Sequence, residues 1–154
     1  MTIASYITFK LGAELFAIDV ARVREVLDLT TVTQVPAAPP YLRGVVNVRG
    51  SAVPVVDLRL RFGLPAAVDG IHTRIVVFEL EIEGEIVPLG GVADSVHEVI
   101  EIDPSTIAAA PRIATRWRAE MIEGIATHEE QFVLVLDIAR IFGSDDALLA
   151  AAAA

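Results

Sequence analysis

The sequence contains no cysteine, which excludes thiolate chemistry. The remaining side chains that are common in active sites are carboxylates, hydroxyls and three histidines. His72, His97 and His128 lack the i, i+4 spacing with which two histidines bind zinc from one helix. The serine and threonine residues lie in no Gly-x-Ser-x-Gly motif, and neither a Walker loop nor a Gly-x-Gly-x-x-Gly turn is present. The sequence therefore predicts no catalytic residue, no metal site and no cofactor.

Two aspartates stand out by their positions. Asp57 and Asp137 each follow a strand-like run of β-branched residues and precede a short amphipathic segment that ends in Phe-Gly. A side-chain oxygen at the start of a helix accepts a hydrogen bond from one of the free backbone N–H groups there. We therefore expect both aspartates to be helix N-caps, and a hydrolase that relies on carboxylates alone is the least favoured class of protein.

Arg49 is the other candidate functional side chain. It lies in Asn47-Val-Arg-Gly50, at a predicted hairpin turn that needs only small polar residues. A guanidinium at such a turn either points into water or clamps a carboxylate with its planar fork, on another element or on a partner. The spacing alone leaves both interpretations open.

The elements that hold these residues occur twice in the chain. Residues 44–63 and 124–143 align without a gap, and each copy predicts a strand, a turn, a second strand and an Asp-capped helical turn closed by glycine. Two related lobes that pack together would create a groove between them. The coinciding residues are Gly44/Gly124, Val53/Val133, Val55/Val135, Asp57/Asp137, Phe62/Phe142 and Gly63/Gly143.

Short strands joined by tight turns predominate in the rest of the chain. A hairpin is predicted over 6–19, and Asp19 is expected to cap a helical turn with apolar positions at Val20, Val23 and Leu27. This pattern favours two small β-barrels, because closure removes exposed edge strands. Further predictions are strands over 31–35, 73–80, 85–89, 96–102, 121–127 and 132–136, a lobe boundary over 63–72, and a final helix from Ser144.

The length, charge and hydrophobicity of the chain limit its domain number, its partners and its location. A chain of 154 residues suits one compact domain, or two small lobes that share a core. The net charge of -9 argues against binding a phosphate backbone, so we expect no nucleic-acid partner. No run approaches the ~18 to 20 apolar residues that span a bilayer, and no apolar leader follows Met1. We therefore expect a cytoplasmic chain without direct membrane insertion.

Several strings of residues resemble the CheW family of chemotaxis coupling proteins. The resemblance extends from Ser5 to Phe142, and its most specific part is the Arg-Gly-x-x-x-Pro-x-x-Asp-Leu-Arg string that follows the Pro-x-x-Pro segment. The second lobe departs from the family pattern at Pro88-Leu-Gly-Gly91. The strings that carry the resemblance are Phe9-Lys-Leu-Gly12, Phe16-Ala-Ile-Asp19, Val23-Arg-Glu25-Val, Val35-Pro-Ala-Ala-Pro39, Arg43-Gly-Val-Val-Asn-Val-Arg-Gly50, Pro54-Val-Val-Asp-Leu-Arg59, Asp94-Ser-Val96 and Val133 to Ile138.

The resemblance implies a single domain over residues 1–154 with a mainly β fold. That fold would be two intertwined five-stranded Src-homology-3-like β-barrels that share a hydrophobic core, with short helices and a C-terminal helix. It also implies a protein without catalytic activity or cofactor. Such a protein bridges the cytoplasmic tips of chemoreceptors to a CheA-type histidine kinase, whose regulatory domain is itself CheW-like, within chemoreceptor arrays.

The same resemblance identifies the expected partner-binding residues. It implies that Arg49 pairs with Glu25, and that a receptor groove between the lobes involves residues of the first lobe. The expected partner-binding residues are Val23, Glu25, Arg43, Asn47, Arg49 and Gly50.

Two alternatives to a chemotaxis adaptor stay open at this point. One is an adaptor in a non-flagellar chemosensory pathway, which would share the fold and the motifs. The other is a small-ligand-binding β-barrel, since barrels also hold ligands. A ligand-binding barrel would contain an apolar cavity with convergent polar groups, whereas an adaptor would present an open groove.

Overall fold

The computed structural model describes residues 2–82, 84–109 and 122–142. The described chain is built mainly from strands, with two short α-helices and two 3-10 turns. The helices are α1 (Leu58–Arg61) and α2 (Ile138–Phe142), and the 3-10 turns span Val20–Arg22 and Pro104–Thr106. The strands are β1 (Ala4–Leu11), β2 (Glu14–Asp19), β3 (Val23–Asp28), β4 (Leu42–Val48), β5 (Ser51–Asp57), β6 (Arg74–Ile82), β7 (Glu85–Ala93), β8 (Ser95–Ile102), β9 (Ile122–His128) and β10 (Gln131–Leu136).

The strands form two five-stranded sheets that exchange elements between the two halves of the chain. The first sheet has the order β8-β1-β2-β10-β9, and the second has the order β3-β6-β7-β5-β4. Each sheet therefore combines a hairpin from one half with three strands from the other half. If β1 to β5 are exchanged in order with β6 to β10, the strand order of the first sheet becomes that of the second. The predicted fold of two intertwined barrels is confirmed.

A shared core joins the two sheets. The rings of Phe9 and Phe16, from β1 and β2, stack with a centroid separation of 5.7 Å, and Phe62 stacks on Phe16 at 5.6 Å. Because Phe62 directly follows α1, this stack of three rings links the first sheet to the helix that follows β5 of the second sheet. In addition, each sheet has its own cluster of buried apolar side chains. They comprise Tyr6, Ala17, Ile100, Ile102, Ala126, Val133 and Val135 in the first, and Val46, Val53, Val55, Ile75, Val77 and Val92 in the second.

The repeated glycines close both barrels by the same contact. Thr33 forms an isolated bridge to Val45, and Ala108 forms one to Ile125. A Cβ atom on Gly44 would lie 2.0 Å from the carbonyl oxygen of Thr33, and a Cβ on Gly124 would lie 2.5 Å from that of Ala108. Only glycine lets the backbone of the crossing segment approach so closely.

Two sequence predictions in the first half need correction. The helical turn capped by Asp19 ends at Arg22 and does not reach Leu27. From Val23 the side chains alternate between partly buried and exposed, and the segment pairs with β6 as β3, so sheet pairing outweighs the helical spacing. The strand predicted over 31–35 is reduced to the single bridge at Thr33.

The second half agrees with the remaining strand predictions. The unusual Pro88-Leu-Gly-Gly91 segment continues β7, and its two glycines are buried. The 63–72 segment connects α1 to β6 and separates the two halves in sequence, while strands from both sides of it enter both sheets. The helix predicted from Ser144 lies outside the described residues. No helix in the described ranges is long and apolar enough to cross a bilayer.

Candidate functional site

The β4–β5 turn holds the candidate site in a fixed conformation. Arg49 and Gly50 both have positive φ, at 50° and 84°. This combination defines a type I′ hairpin turn, whose twist matches that of the flanking strands. The side-chain oxygen of Asn47 accepts a hydrogen bond of 2.8 Å from the backbone N–H of Gly50. Asn47 and Gly50 therefore set the conformation that presents Arg49.

Arg49 clamps Glu25 with two hydrogen bonds. Its Nη1 lies 2.6 Å from Glu25 Oε2 and its Nη2 lies 3.1 Å from Oε1. The Arg49 side chain is 77% exposed, whereas that of Glu25 is 17% exposed. Since Glu25 lies on β3 and Arg49 follows β4, the pair joins the two edge strands of the second sheet. Of the two interpretations of Arg49, the carboxylate clamp is confirmed, and the pairing implied by the resemblance is present.

Arg43 lies at the other end of β4 and has a different set of partners. Its guanidinium binds Asp57 Oδ2 at 3.0 and 3.2 Å and Asp69 Oδ2 at 2.8 Å. Burial alone would lower the pKa of Arg43, but hydrogen bonds and charges from Asp69 and Asp57 outweigh it and raise the pKa. Arg43 therefore ties the 63–72 connection and the start of α1 to β4.

The predicted capping role of the two aspartates is confirmed. Asp57 Oδ1 accepts a hydrogen bond of 3.2 Å from the N–H of Leu60, and Asp137 Oδ1 accepts one of 3.3 Å from the N–H of Arg140. The two caps differ in their surroundings, because Asp57 is buried against Arg43 while Asp137 is partly exposed.

The structure brings four of the six expected partner-binding residues together. Glu25, Asn47, Arg49 and Gly50 cluster at the β4–β5 turn, and Arg43 lies at the opposite end of β4. Val23 lies at the start of β3, half-buried against the shared core. Two open depressions, of about 280 and 320 Å³, flank the turn. They are lined by Glu25, Leu27, Asp28, Thr30, Asn47, Val48 and Arg49, and by Thr33, Val45, Val46, Asn47, Gly50, Ser51 and Ala52.

An ion pair between the barrels was missed by sequence reasoning. Arg59 binds Asp94 with its Nε at 2.9 Å from Oδ1 and its Nη2 at 2.6 Å from Oδ2. Asp94 Oδ2 also accepts a hydrogen bond of 2.7 Å from the N–H of Gly12. The cluster of Arg59, Asp94 and Gly12, here called the clasp, joins α1, the β7–β8 turn and the β1–β2 turn. Arg59 and Asp94 both lie in the motif strings, but a string does not reveal that two distant residues pair.

The three histidines lie apart in the fold: His72 is in the connection before β6, His97 is on β8, and His128 is at the end of β9. His128 Nε2 is 3.7 Å from Glu98 Oε1 and 3.8 Å from Glu129 Oε1, and both glutamates are largely exposed. His97 Nε2 lies 2.9 Å from Ser95 Oγ. Within the described ranges, this serine and histidine have no carboxylate positioned to orient the imidazole, as a catalytic triad requires. Glu98, His128 and Glu129 are residue types that bind metal ions, and here they lie together on an open surface.

The comparisons with known proteins agree with this architecture. The model of the CheW-like domain matches residues 5–146. The chemotaxis protein CheW of Treponema pallidum is 31% identical over 144 residues, which cover 91% of this chain and 82% of the relative. That of Bacillus subtilis is 31% identical over 131 residues, covering 85% and 81%.

A solved structure extends the comparison to three dimensions. The crystal structure of the scaffolding protein TtCheW from Thermoanaerobacter tengcongensis superposes with a TM-score of 0.83 at 30% identity. The superposition covers 96% of this chain and 92% of that one. The matches in sequence and in structure both extend over nearly the whole chain and include both barrels. The chain therefore belongs to the CheW family of chemotaxis proteins.

Proposed function

We propose that this chain is a non-enzymatic adaptor that couples chemoreceptors to a CheA-type histidine kinase by binding both. It would act in the cytoplasm, within chemoreceptor arrays, and would need no cofactor. Membership of the CheW family supports this proposal, and the solved relative from Thermoanaerobacter tengcongensis is described as a scaffolding protein. The receptor tip and the regulatory domain of the kinase are the proposed partners.

The observation that carries the proposal is the clamped turn at Arg49. The type I′ turn, the Asn47 hydrogen bond and the bidentate pair with Glu25 hold an exposed guanidinium in one position. A surface that is ordered before binding loses little conformational entropy when a partner docks. Val23 and Arg43 belong to the same proposed groove, in which Arg43 positions its neighbours through two aspartates.

The way the barrels are filled favours an adaptor over a ligand-binding barrel. Buried valine, isoleucine, alanine and tyrosine side chains occupy the space within the two sheets. The depressions beside the β4–β5 turn are open to solvent rather than enclosed. A small-molecule site usually buries most of its ligand in a concave apolar pocket. The surface of this chain is better suited to another protein than to an enclosed small ligand.

The direct test is to assemble the complex from purified parts. The chain is mixed with the regulatory domain of the kinase and with a cytoplasmic receptor fragment, and binding to each is measured by isothermal titration calorimetry. We expect the native chain to bind both, and Arg49→Ala to weaken binding. Glu129→Ala is the matched control, because it removes an exposed charge at the equivalent position of the β9–β10 turn. The proposal would be contradicted if the native chain failed to bind the receptor fragment or failed to bind the kinase domain.

A charge-reversal pair separates two roles for Arg49. If Arg49 only positions the turn, then Glu25→Arg combined with Arg49→Glu should restore binding. If the guanidinium itself contacts the partner, the reversed pair should stay defective while its folding stability recovers. The chain alone, incubated with ATP, should show no nucleotide turnover, since it has no phosphate-binding loop.

A further inference from the structure

The internal repeat creates two equivalent clefts between the barrels, and the two clefts are filled differently. Each cleft lies where a short helix that follows one sheet meets the hairpin of the other sheet. The first lies between α1 and the β1–β2 hairpin, and the second lies between α2 and the β6–β7 hairpin.

The first cleft is filled by the chain's own guanidinium. Arg59, at the second position of α1, enters it and binds Asp94, which also accepts the N–H of Gly12. A Cβ atom on Gly12 would lie 3.7 Å from Arg59 Nη2, so the guanidinium packs directly against the turn. The backbone N–H of Asp94 donates to the carbonyl oxygen of Lys10 at 3.0 Å, which completes the closure.

The second cleft lacks both members of that ion pair. In the gapless alignment of the repeats, Ala139 takes the position of Arg59. Val55 and Val135 coincide in the repeat, and their neighbours in the parallel strand pairs are Gly90 and Ala17. Ala17 is therefore equivalent to Gly90. Ala21 follows Ala17 by four residues, as Asp94 follows Gly90, so Ala21 is equivalent to Asp94. Where the first cleft holds an arginine and an aspartate, the second holds two alanines.

Beside Ala139 lies a cavity of about 200 Å³, here called the open cleft. Its polar lining contains three carboxylates and one guanidinium. Glu79 is bound to Arg24 and Asp137 to Arg140, whereas Glu81 has no hydrogen bond or ion pair among the described residues. The lining residues are Arg22, Glu79, Leu80, Glu81, Asp137, Ile138 and Ala139.

We propose that the open cleft binds an arginine or lysine side chain of a protein partner, in the position that Arg59 fills in the other cleft. Leu80 and Ile138 offer apolar contact for the methylene stem of such a side chain, and Glu81 offers a free carboxylate for its charge. The net charge of -9 further favours a partner with a basic surface. Because the clasp closes the equivalent cleft, the described part of the chain presents one such site and therefore one docking orientation. In taking a receptor or a kinase as the partner, this inference rests on the proposed function.

The chemistry of the open cleft can be tested without either partner. N-acetyl-argininamide is titrated into the isotope-labelled chain, and backbone amide shifts are followed by NMR. N-acetyl-citrullinamide, the neutral isostere, is the control probe. We expect the arginine probe to shift the amides of Leu80, Glu81 and Ala139 while leaving Gly12 and Asp94 unchanged, and Glu81→Gln to reduce those shifts several-fold. Equal shifts with both probes, or shifts spread over the whole surface, would overturn the inference.

A second arm uses the partners themselves. Ala139→Arg places in the open cleft the side chain that closes its equivalent, and Ala67→Arg adds the same charge on the exposed connection. We expect Ala139→Arg to lower the affinity for the receptor fragment or for the kinase regulatory domain at least tenfold, with an unchanged melting temperature. Ala67→Arg should bind as the native chain does. If native chain and Ala139→Arg bind both partners equally well, the cleft is not a docking site, whatever the probe shows. If the native chain binds neither partner, the proposed function fails and the probe titration decides the inference by itself.

Discussion

Arg49 and Glu25 form a two-point ion pair in which one partner is mostly exposed and the other mostly buried. The distances of 2.6 and 3.1 Å place both carboxylate oxygens against the guanidinium fork. Arg49 has a φ of 50°, a conformation that costs an L-residue about 1 to 2 kcal/mol. The pair therefore holds a strained residue in place and keeps its charge at the surface.

The exposure of Arg49 limits what the pair contributes to folding. We expect Arg49→Ala and Glu25→Ala each to lower the free energy of unfolding by about 1 kcal/mol or less, as for other solvent-exposed pairs. In a double-mutant cycle the coupling energy should be about 0.2 to 1 kcal/mol. Denaturant unfolding of the four proteins measures this energy. Strictly additive single effects would show that the two residues do not interact in solution.

The two N-caps should differ in their contribution to stability. Asp137→Ala removes a cap hydrogen bond and should cost about 0.5 to 2 kcal/mol. Asp57→Ala should cost more, because it also removes two hydrogen bonds from Arg43, and a bond to a charged group contributes about 1.5 to 3 kcal/mol. Urea unfolding of the two variants, at equivalent positions of the repeat, gives the comparison. Equal losses would show that Arg43 contributes nothing through Asp57.

Much of the fold could be predicted from local sequence signals. Alternating β-branched runs, two-residue turns and the aspartates before short helices identified most of the strands and both caps. The segment after Asp19 was misjudged because Val20, Val23 and Leu27 suit a helical spacing, while pairing with β6 decides the outcome. A single sequence does not show which strand will be a neighbour.

The candidate site was only partly predictable. The pairing of Arg49 with Glu25 followed from a resemblance, not from spacing, since the turn alone left a solvated arginine open. The clasp was missed because Arg59 and Asp94 come together only when the hairpins are exchanged between sheets. Ala139 and Ala21, which take the places of Arg59 and Asp94, carry no signal until the repeat is aligned on the observed strand pairs.

The repeated glycines should tolerate no side chain. Gly44→Ala would place a Cβ atom 2.0 Å from a carbonyl oxygen, at a residue whose φ is +144°, and Gly124→Ala would place one 2.5 Å from another. Since backbone must move in both cases, we expect losses of about 3 kcal/mol or more, in the range of the most damaging substitutions. Gly70→Ala is the control, because nothing lies within 4 Å of its added Cβ and its φ is ordinary. Thermal melts of the three variants should separate the first two from the third.

The clasp should make stability depend on pH through Asp94. Burial alone would raise the pKa of Asp94, but the hydrogen bonds from Arg59 and Gly12, with the charge of Arg59, outweigh it and hold the pKa below 3.8. A carboxyl whose pKa is lower in the folded state stabilises the fold fully above its unfolded pKa, and this contribution is lost as the pH falls through the folded pKa. We expect native stability to exceed that of Asp94→Asn at pH 7, and the difference to shrink below about pH 4. A difference that stays constant from pH 7 to pH 3 would contradict this assignment.

The β9–β10 turn offers a stabilising substitution. Glu129 and Glu130 have φ values of 50° and 64° and form the same kind of two-residue turn as Arg49 and Gly50, but without a glycine. In the repeat, Glu130 takes the position of Gly50. An L-residue with positive φ costs about 1 to 2 kcal/mol, whereas glycine adopts this conformation freely and loses about 0.5 to 1 kcal/mol more conformational entropy on folding. Glu130→Gly should therefore raise the free energy of unfolding by about 0.5 kcal/mol or more, as measured by denaturant titration. Glu130→Ala keeps the strain and should bring no such gain, so an equal gain in both variants would trace the effect to the lost charge rather than to the backbone.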